Sequence, residues 1–262
     1  MNVWIDVFIF VFGTIIGSFL NVVAYRYGTG YSLTGRSGCL ICGKTLHWYE
    51  LIPILSFFVQ RGRCRKCRCL ISPQYPMVET IAGVLFLLAY RSALASAAGL
   101  PALIFDWPIW SLLLLIVVYD IRHQIIPNGL AYAFAGFAFL RLIYLTPSQI
   151  IPAVITAAAL FAFFFLLWAG SKGRWMGFGD AKLAVGIGLL LGPTMAISAT
   201  VLAFWSGAIV GLLMMFVSKV SARPKKGSRY KTVSLKTEIP FAPFLILGVF
   251  IAFFLQINVL GF

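Results

Sequence analysis

From Val3 to Tyr25 the chain is almost uninterruptedly apolar, and similar stretches recur as far as Ile257. Runs of this kind fix the solvent. A helix needs about 20 apolar residues to cross hydrocarbon, where each backbone N–H and C=O must be satisfied within the segment itself. With 61% hydrophobic and 11% charged residues, the 262-residue chain is too apolar for a soluble globule. The expected fold is an all-α polytopic membrane protein with about eight transmembrane helices and a cytoplasmic zinc-binding insertion. The spans are expected near Val3–Tyr25, Met77–Tyr90, from Trp107 past Asp120, Leu130–Leu145, Ile150–Ala169, Ala181–Leu191, Met195–Val217 and Phe241–Ile257. The sixth is short because Gly192-Pro193 breaks it.

The formal net charge of +14 raises the possibility of nucleic acid, but its distribution argues for topology. Eight of the 21 basic residues fall between Arg26 and Arg68, and seven more between Lys219 and Lys236. Basic loops beside spans mark the cytoplasmic side and meet lipid head groups, so no nucleic-acid partner is expected. The basic residue nearest the first span, Arg26, follows it, whereas a secretory signal carries its charge in front. An uncleaved first span with its N-terminus outside is expected. Eight crossings then put both basic loops, the turn after Asp120 and the loop before Asp180 on the cytoplasmic face.

The polar insertion from about Arg26 to Pro76 carries Cys39-x-x-Cys42, then 21 residues, then Cys64-x-x-Cys67. Two pairs of thiolates supply the four soft ligands of a structural zinc site. Free thiols or redox chemistry are the alternative, while disulfides do not suit a reducing compartment. Cys69 offers a rival ligand, and His47 a further substitute. The Arg61–Arg68 run reads as a lipid-facing patch, or as a shield for thiolates whose charge exceeds that of the ion.

Acids are scarce, seven in all, so each one counts. Glu79 opens the second span and is read as capping the helix or complementing its dipole, with a catalytic task as the alternative. Asp106 is assigned to the outer turn between Ser92 and Pro108, solvated and without function. Arg91 is read as snorkelling at the outer end. Gly17 and Ser18 read as a packing seam, beside which Asn21 can bond across a helix interface. Asp120, taken alone, has the alternative of pairing with Arg122 and His123 in a wet loop, but Asp120 and Asp180 both fall at membrane depth and on one face. Two carboxylates that approach closely share a proton, one activating water while the other protonates a leaving group. In Gly177-Phe178-Gly179-Asp180 the glycines permit close approach of backbone or substrate.

Taken together, Gly17–Val22, the two Cys pairs, Tyr75–Glu79, Asp120 with Ile126-Pro127-Asn128, Met176–Leu183 and Ile239–Pro243 resemble the bacterial type IV prepilin peptidases. The resemblance covers nearly the whole chain. It implies that Asp120 and Asp180 form the catalytic pair of a Gly-x-Gly-Asp aspartic membrane protease. The zinc reading, with Cys39, Cys42, Cys64 and Cys67 as ligands, rests on the spacing of the pairs. The resemblance further implies a multi-pass protein of the bacterial inner membrane that cuts the basic leader of prepilins or pseudopilins at the cytoplasmic face. The new N-terminus is then methylated with S-adenosylmethionine. Residues 1–25 are expected to form the first span, 26–76 the zinc and methyltransferase-associated loop, and 77–262 the peptidase region. Ala242 stands where the family often has Gly, and no separate methyl-donor motif is recognisable. A proton-coupled transporter or a zinc-bearing membrane scaffold are the alternatives. The transporter would place its acids nearer the midplane, between internal repeats that this chain lacks.

Overall fold

The computed structural model describes residues 2–221 and 240–259, apart from Gly30, Tyr31 and Leu33. The basic stretch Lys219–Lys236 lies largely outside them. Eight helices follow in order: α1 Val3–Arg26, α2 Leu55–Val59, α3 Gln74–Ala95, α4 Leu103–His123, α5 Asn128–Leu145, α6 Ile150–Ser171, α7 Phe178–Ser221 and α8 Ala242–Leu255. No strand occurs among the described residues; the insertion holds two isolated antiparallel bridges, Gly38 to Thr45 and Arg63 to Leu70.

Among the described residues six helices are long and apolar enough to span a membrane, and α8 is a shorter apolar one. The longest of them, α7, is two helices joined at Gly192, whose φ of 69° and ψ of −173° are not helical. Packing partners show that the chain reverses there. Before the break, Phe178 touches Phe165 and Trp168 of α6, while Gly188 meets Ala157, so this limb runs antiparallel to α6. After it, Phe204 stacks on Phe164 at 6.2 Å and lies 5.1 Å from Phe241 at the start of α8. With α7 counted as two limbs, eight apolar segments result, in line with the expected number.

In lipid, helix association relies on close van der Waals packing rather than on the hydrophobic effect, so small residues mark the seams. A methyl group at Gly17 would lie 2.8 Å from Cα of Glu79 on α3, and one at Gly13 would lie 2.8 Å from Cα of Gly83. Larger side chains fill the centre, where Trp110 of α4 is fully buried against Phe250, Phe253 and Phe254 of α8.

Three expectations about charged residues are corrected. α4 begins at Leu103 rather than Trp107, with Pro108 inside the helix as its sixth residue. Asp106 is therefore not solvated; it is 2% exposed, and Nε of Arg141 on α5 donates to its Oδ1 at 2.6 Å. Arg91 does not simply snorkel, since its guanidinium pairs with Asp6 of α1. Glu79 does not cap its own helix. It is buried, and its Oε2 accepts the backbone N–H of Ile54 in the insertion at 2.7 Å, which fastens that loop to α3.

Candidate active site

α4 ends one turn after Asp120. Gln124 adopts the left-handed conformation (φ 54°, ψ 32°), and its N–H returns to the Asp120 carbonyl at 2.8 Å. An extended Pro127 then leads into α5 at Asn128. At α7, Asp180 is the third helical residue. Its N–H donates to the Gly177 carbonyl at 3.2 Å, and its carboxylate accepts the Gly177 N–H in return. This reciprocal pair closes the first turn as a capping box does and fixes the carboxylate at the helix N-terminus.

Contacts across the bundle bring the two acids together. A methyl group on Gly179 would lie 2.8 Å from Cβ of Ile126, so the first turn of α7 abuts the turn that follows α4. Nζ of Lys182 donates to Oδ1 of Asn128 at 2.6 Å and sits 4.5 Å from the Phe178 ring centre. Asp120 and Asp180 are each 5% exposed, and Asp180 lies within electrostatic reach of Asp120. The Asp120 carboxylate also accepts the backbone N–H of Ala242, the first residue of α8. Sequence reasoning missed that donor, because a main-chain amide leaves no side-chain signature. The only hint was Pro243, a residue common at helix starts. The site thus consists of two neighbouring carboxylates from different helices, each held by a backbone N–H from the start of a helix.

The cysteines form a second cluster. Sulfurs of Cys39, Cys64, Cys67 and Cys69 all lie within 4.8 Å of one another, a group that takes in Cys69 where Cys42 was expected. His47 is stacked on Tyr49 instead. Two equivalent turns build the cluster. The N–H of Cys39 donates to the Lys44 carbonyl and that of Cys64 to the Cys69 carbonyl, each at 2.9 Å. Gly43 and Arg68, the residues after the second cysteine of each pair, both have positive φ, 67° and 59°. Backbone N–H groups of Cys42 and Ile41 hold the Cys39 thiol down to about 6. Those of Cys67 and Lys66 likewise lower Cys64. In this correspondence Cys42 matches Cys67, and Cys69 matches Lys44, which is no metal ligand. Nearby, the buried Glu50 accepts the His47 N–H and both oxygens take Lys44 Nζ at 3.0 Å, which holds its carboxyl below the usual range.

Comparison with known proteins agrees with this layout. Residues 11–93 match the bacterial peptidase A24 N-terminal domain, and residues 107–212 match the type IV leader peptidase family. A prepilin leader peptidase/N-methyltransferase of Bacillus subtilis is 33% identical over 256 residues, covering 97% of this chain and 96% of that relative. The chain belongs to the type IV leader peptidase family. Proteins of the same description from Myxococcus xanthus and Klebsiella pneumoniae are 34% and 33% identical over 219 and 196 residues. These alignments cover 81% and 71% of the chain, and 64% and 84% of the respective relatives. No solved structure matches. The first family segment contains the cysteine loop, and the second contains both aspartates.

Proposed function

We propose that the chain is a bifunctional processing enzyme of the bacterial inner membrane. It removes the basic leader of type IV prepilins or type II secretion pseudopilins, then methylates the N-terminus that the cut exposes. Asp120 and Asp180 are the catalytic pair. Sharing one proton, one carboxylate draws a proton from water as it adds to the scissile carbonyl, while the other protonates the departing amine. The observation that carries this reading is the meeting of two carboxylates from α4 and α7 at one end of the bundle, each oriented by a main-chain donor. The basic loop from Arg26 to Arg68 joins α1 to α3 at that same end, which supports a site facing the cytoplasm. A pilin presents a charged leader beside an apolar helix. Its helix docks among spans while the leader stays in water.

Residues 26–76 form the zinc and methyltransferase-associated part, and 77–262 the peptidase part. The equivalence of the two cysteine turns favours Cys39, Cys42, Cys64 and Cys67 as the ligands, four thiolates of the softness zinc prefers. S-adenosylmethionine supplies the electrophilic methyl group. The test is to mix purified protein, a prepilin and S-adenosylmethionine and weigh the product. Wild type yields the cleaved, methylated pilin. Asp120→Asn and Asp180→Asn each lose about 10²–10⁴-fold in cleavage, the usual share of general acid–base catalysis. Wild-type rates in either variant would overturn the assignment.

A further inference from the structure

Between the cysteine loop and the ends of α1, α3 and α4 lies a cavity of about 720 Å³. Its size falls in the range of small-molecule sites, about 300–1,000 Å³. Ser18, Asn21 and Tyr25, one stripe of α1, line it with Glu79 of α3, Glu50 of the loop and Arg122 of α4. It is not the aspartyl site. Asp120 and Arg122 are two residues apart on a helix and so project to nearly opposite sides. The last turn of α4, about 10–12 Å across with its side chains, separates the two places.

Asn21, which lines the cavity, carries an unmet acceptor. The residue is 2% exposed, and its Nδ2 donates to the Tyr75 carbonyl at 3.2 Å. Because that carbonyl only accepts, the amide orientation is fixed and Oδ1 faces away. Oδ1 has no partner among the described residues, and a buried acceptor left unsatisfied is destabilising. It calls for a ligand N–H or O–H. Two buried carboxylates, Glu50 and Glu79, face the same space, and Arg122 stands 5.3 Å from the Tyr25 ring centre at its edge. Glu79 ties the loop to α3 beside the cavity, since its carboxylate accepts the N–H of Ile54.

We infer that this cavity is the methyl-donor pocket, and that Asn21 Oδ1 accepts the α-ammonium of S-adenosylmethionine. The inference rests on the methyltransferase half of the proposed function. The Glu79 carboxylate suits a ligand with an ammonium and a sulfonium, since Glu50 is already paired with Lys44, while Arg122 suits the ligand's carboxylate and the apolar loop residues its adenine.

The test measures binding of S-adenosylhomocysteine, which keeps the ammonium, to the detergent-solubilised full chain by calorimetry. Ultraviolet crosslinking of radiolabelled S-adenosylmethionine with peptide mapping accompanies it. Asn21→Ala should weaken binding at least about tenfold, as expected for a lost hydrogen bond to a charged group. Ser56→Trp should also weaken it, by filling the cavity while leaving the Asn21–Tyr75 bond intact. Tryptophan-fluorescence melting checks folding, and the second variant decides the matter if the first does not fold. Label should map to the cavity lining. If wild type methylates a cleaved pilin but Ser56→Trp binds as tightly, or the label maps elsewhere, the pocket assignment falls and the methyltransferase reading stands. If wild type neither binds S-adenosylhomocysteine nor transfers methyl, both fall.

Discussion

Substitution of Gly179 by alanine isolates what the glycine before Asp180 contributes. Intrinsic propensity alone favours the change, since alanine in a helix is better than glycine by about 1 kcal/mol. Sterics oppose it. The new methyl group would lie 2.8 Å from Cβ of Ile126 and 3.2 Å from its Cγ1 and Cδ1. Cβ cannot swing aside as a side-chain tip can, so backbone must yield by about 0.6 Å to reach ordinary contact. Overpacking of this kind costs about 1–3 kcal/mol, which outweighs the propensity gain at all but its lowest value. The displaced element carries Asp180 one residue on. Because misplacement by about 1 Å can cost about 10²-fold in rate, cleavage kcat should drop about tenfold with KM little changed. Gly177→Ala is the internal control: its methyl group would meet Oδ2 of Asp180 at 3.6 Å and the Gly179 N at 3.9 Å, both ordinary contacts, and activity should stay near wild type. Ile126→Ala combined with Gly179→Ala removes two of the three close contacts and should restore part of the rate. Equal activities for Gly179→Ala and wild type in a gel-based prepilin cleavage assay would refute the reasoning.

Arg141→Met leaves the buried Asp106 carboxylate unpaired, a loss of about 3–5 kcal/mol that detergent-phase melting will read as a lowered Tm. Asp106→Leu with Arg141→Met removes both charges and should recover most of it; an unchanged Tm for the single variant would show the pair to be idle. At the cysteine loop, metal analysis should find zinc lost in Cys42→Ser and kept in Cys69→Ser, and the reverse outcome would exchange their roles.

The spans were legible because hydrocarbon demands length and apolarity and little else. The paired aspartates were legible too, since crossing parity put them on one face. What the sequence hid was pairing over distance. Asp106 resembled a solvated turn residue because it sits beside Pro108, and its partner Arg141 lies 35 positions away on another helix. Glu79 resembled a cap because it opens an apolar run, yet its partner is the amide of Ile54 at the start of α2, 25 positions away in the insertion. Main-chain donors such as Ala242 carry no side-chain signal. The roles of the five cysteines were half legible: spacing revealed two pairs, but only the folded turns show that Cys69 occupies the place of Lys44.

The reversal at Gly192 decides whether the site can exist. Asp120 ends α4, and its main-chain donor begins α8, so both must lie on one face. An even number of crossings separates them only if α7 counts as two limbs. A straight α7 would deliver α8 to the opposite face, and the Ala242 N–H could not reach Asp120. The reversal depends on backbone conformation alone, because φ 69° with ψ −173° falls in a region open essentially to glycine, and no atom lies within 4 Å of where a Cβ would stand. Gly192→Ala should therefore cost about 1–3 kcal/mol without any steric clash. Tm should fall, while cleavage per folded molecule stays close to wild type, because the residue is remote from both carboxylates. An unchanged Tm would mean that the break tolerates an ordinary residue, and that Pro193 rather than the glycine sets the turn.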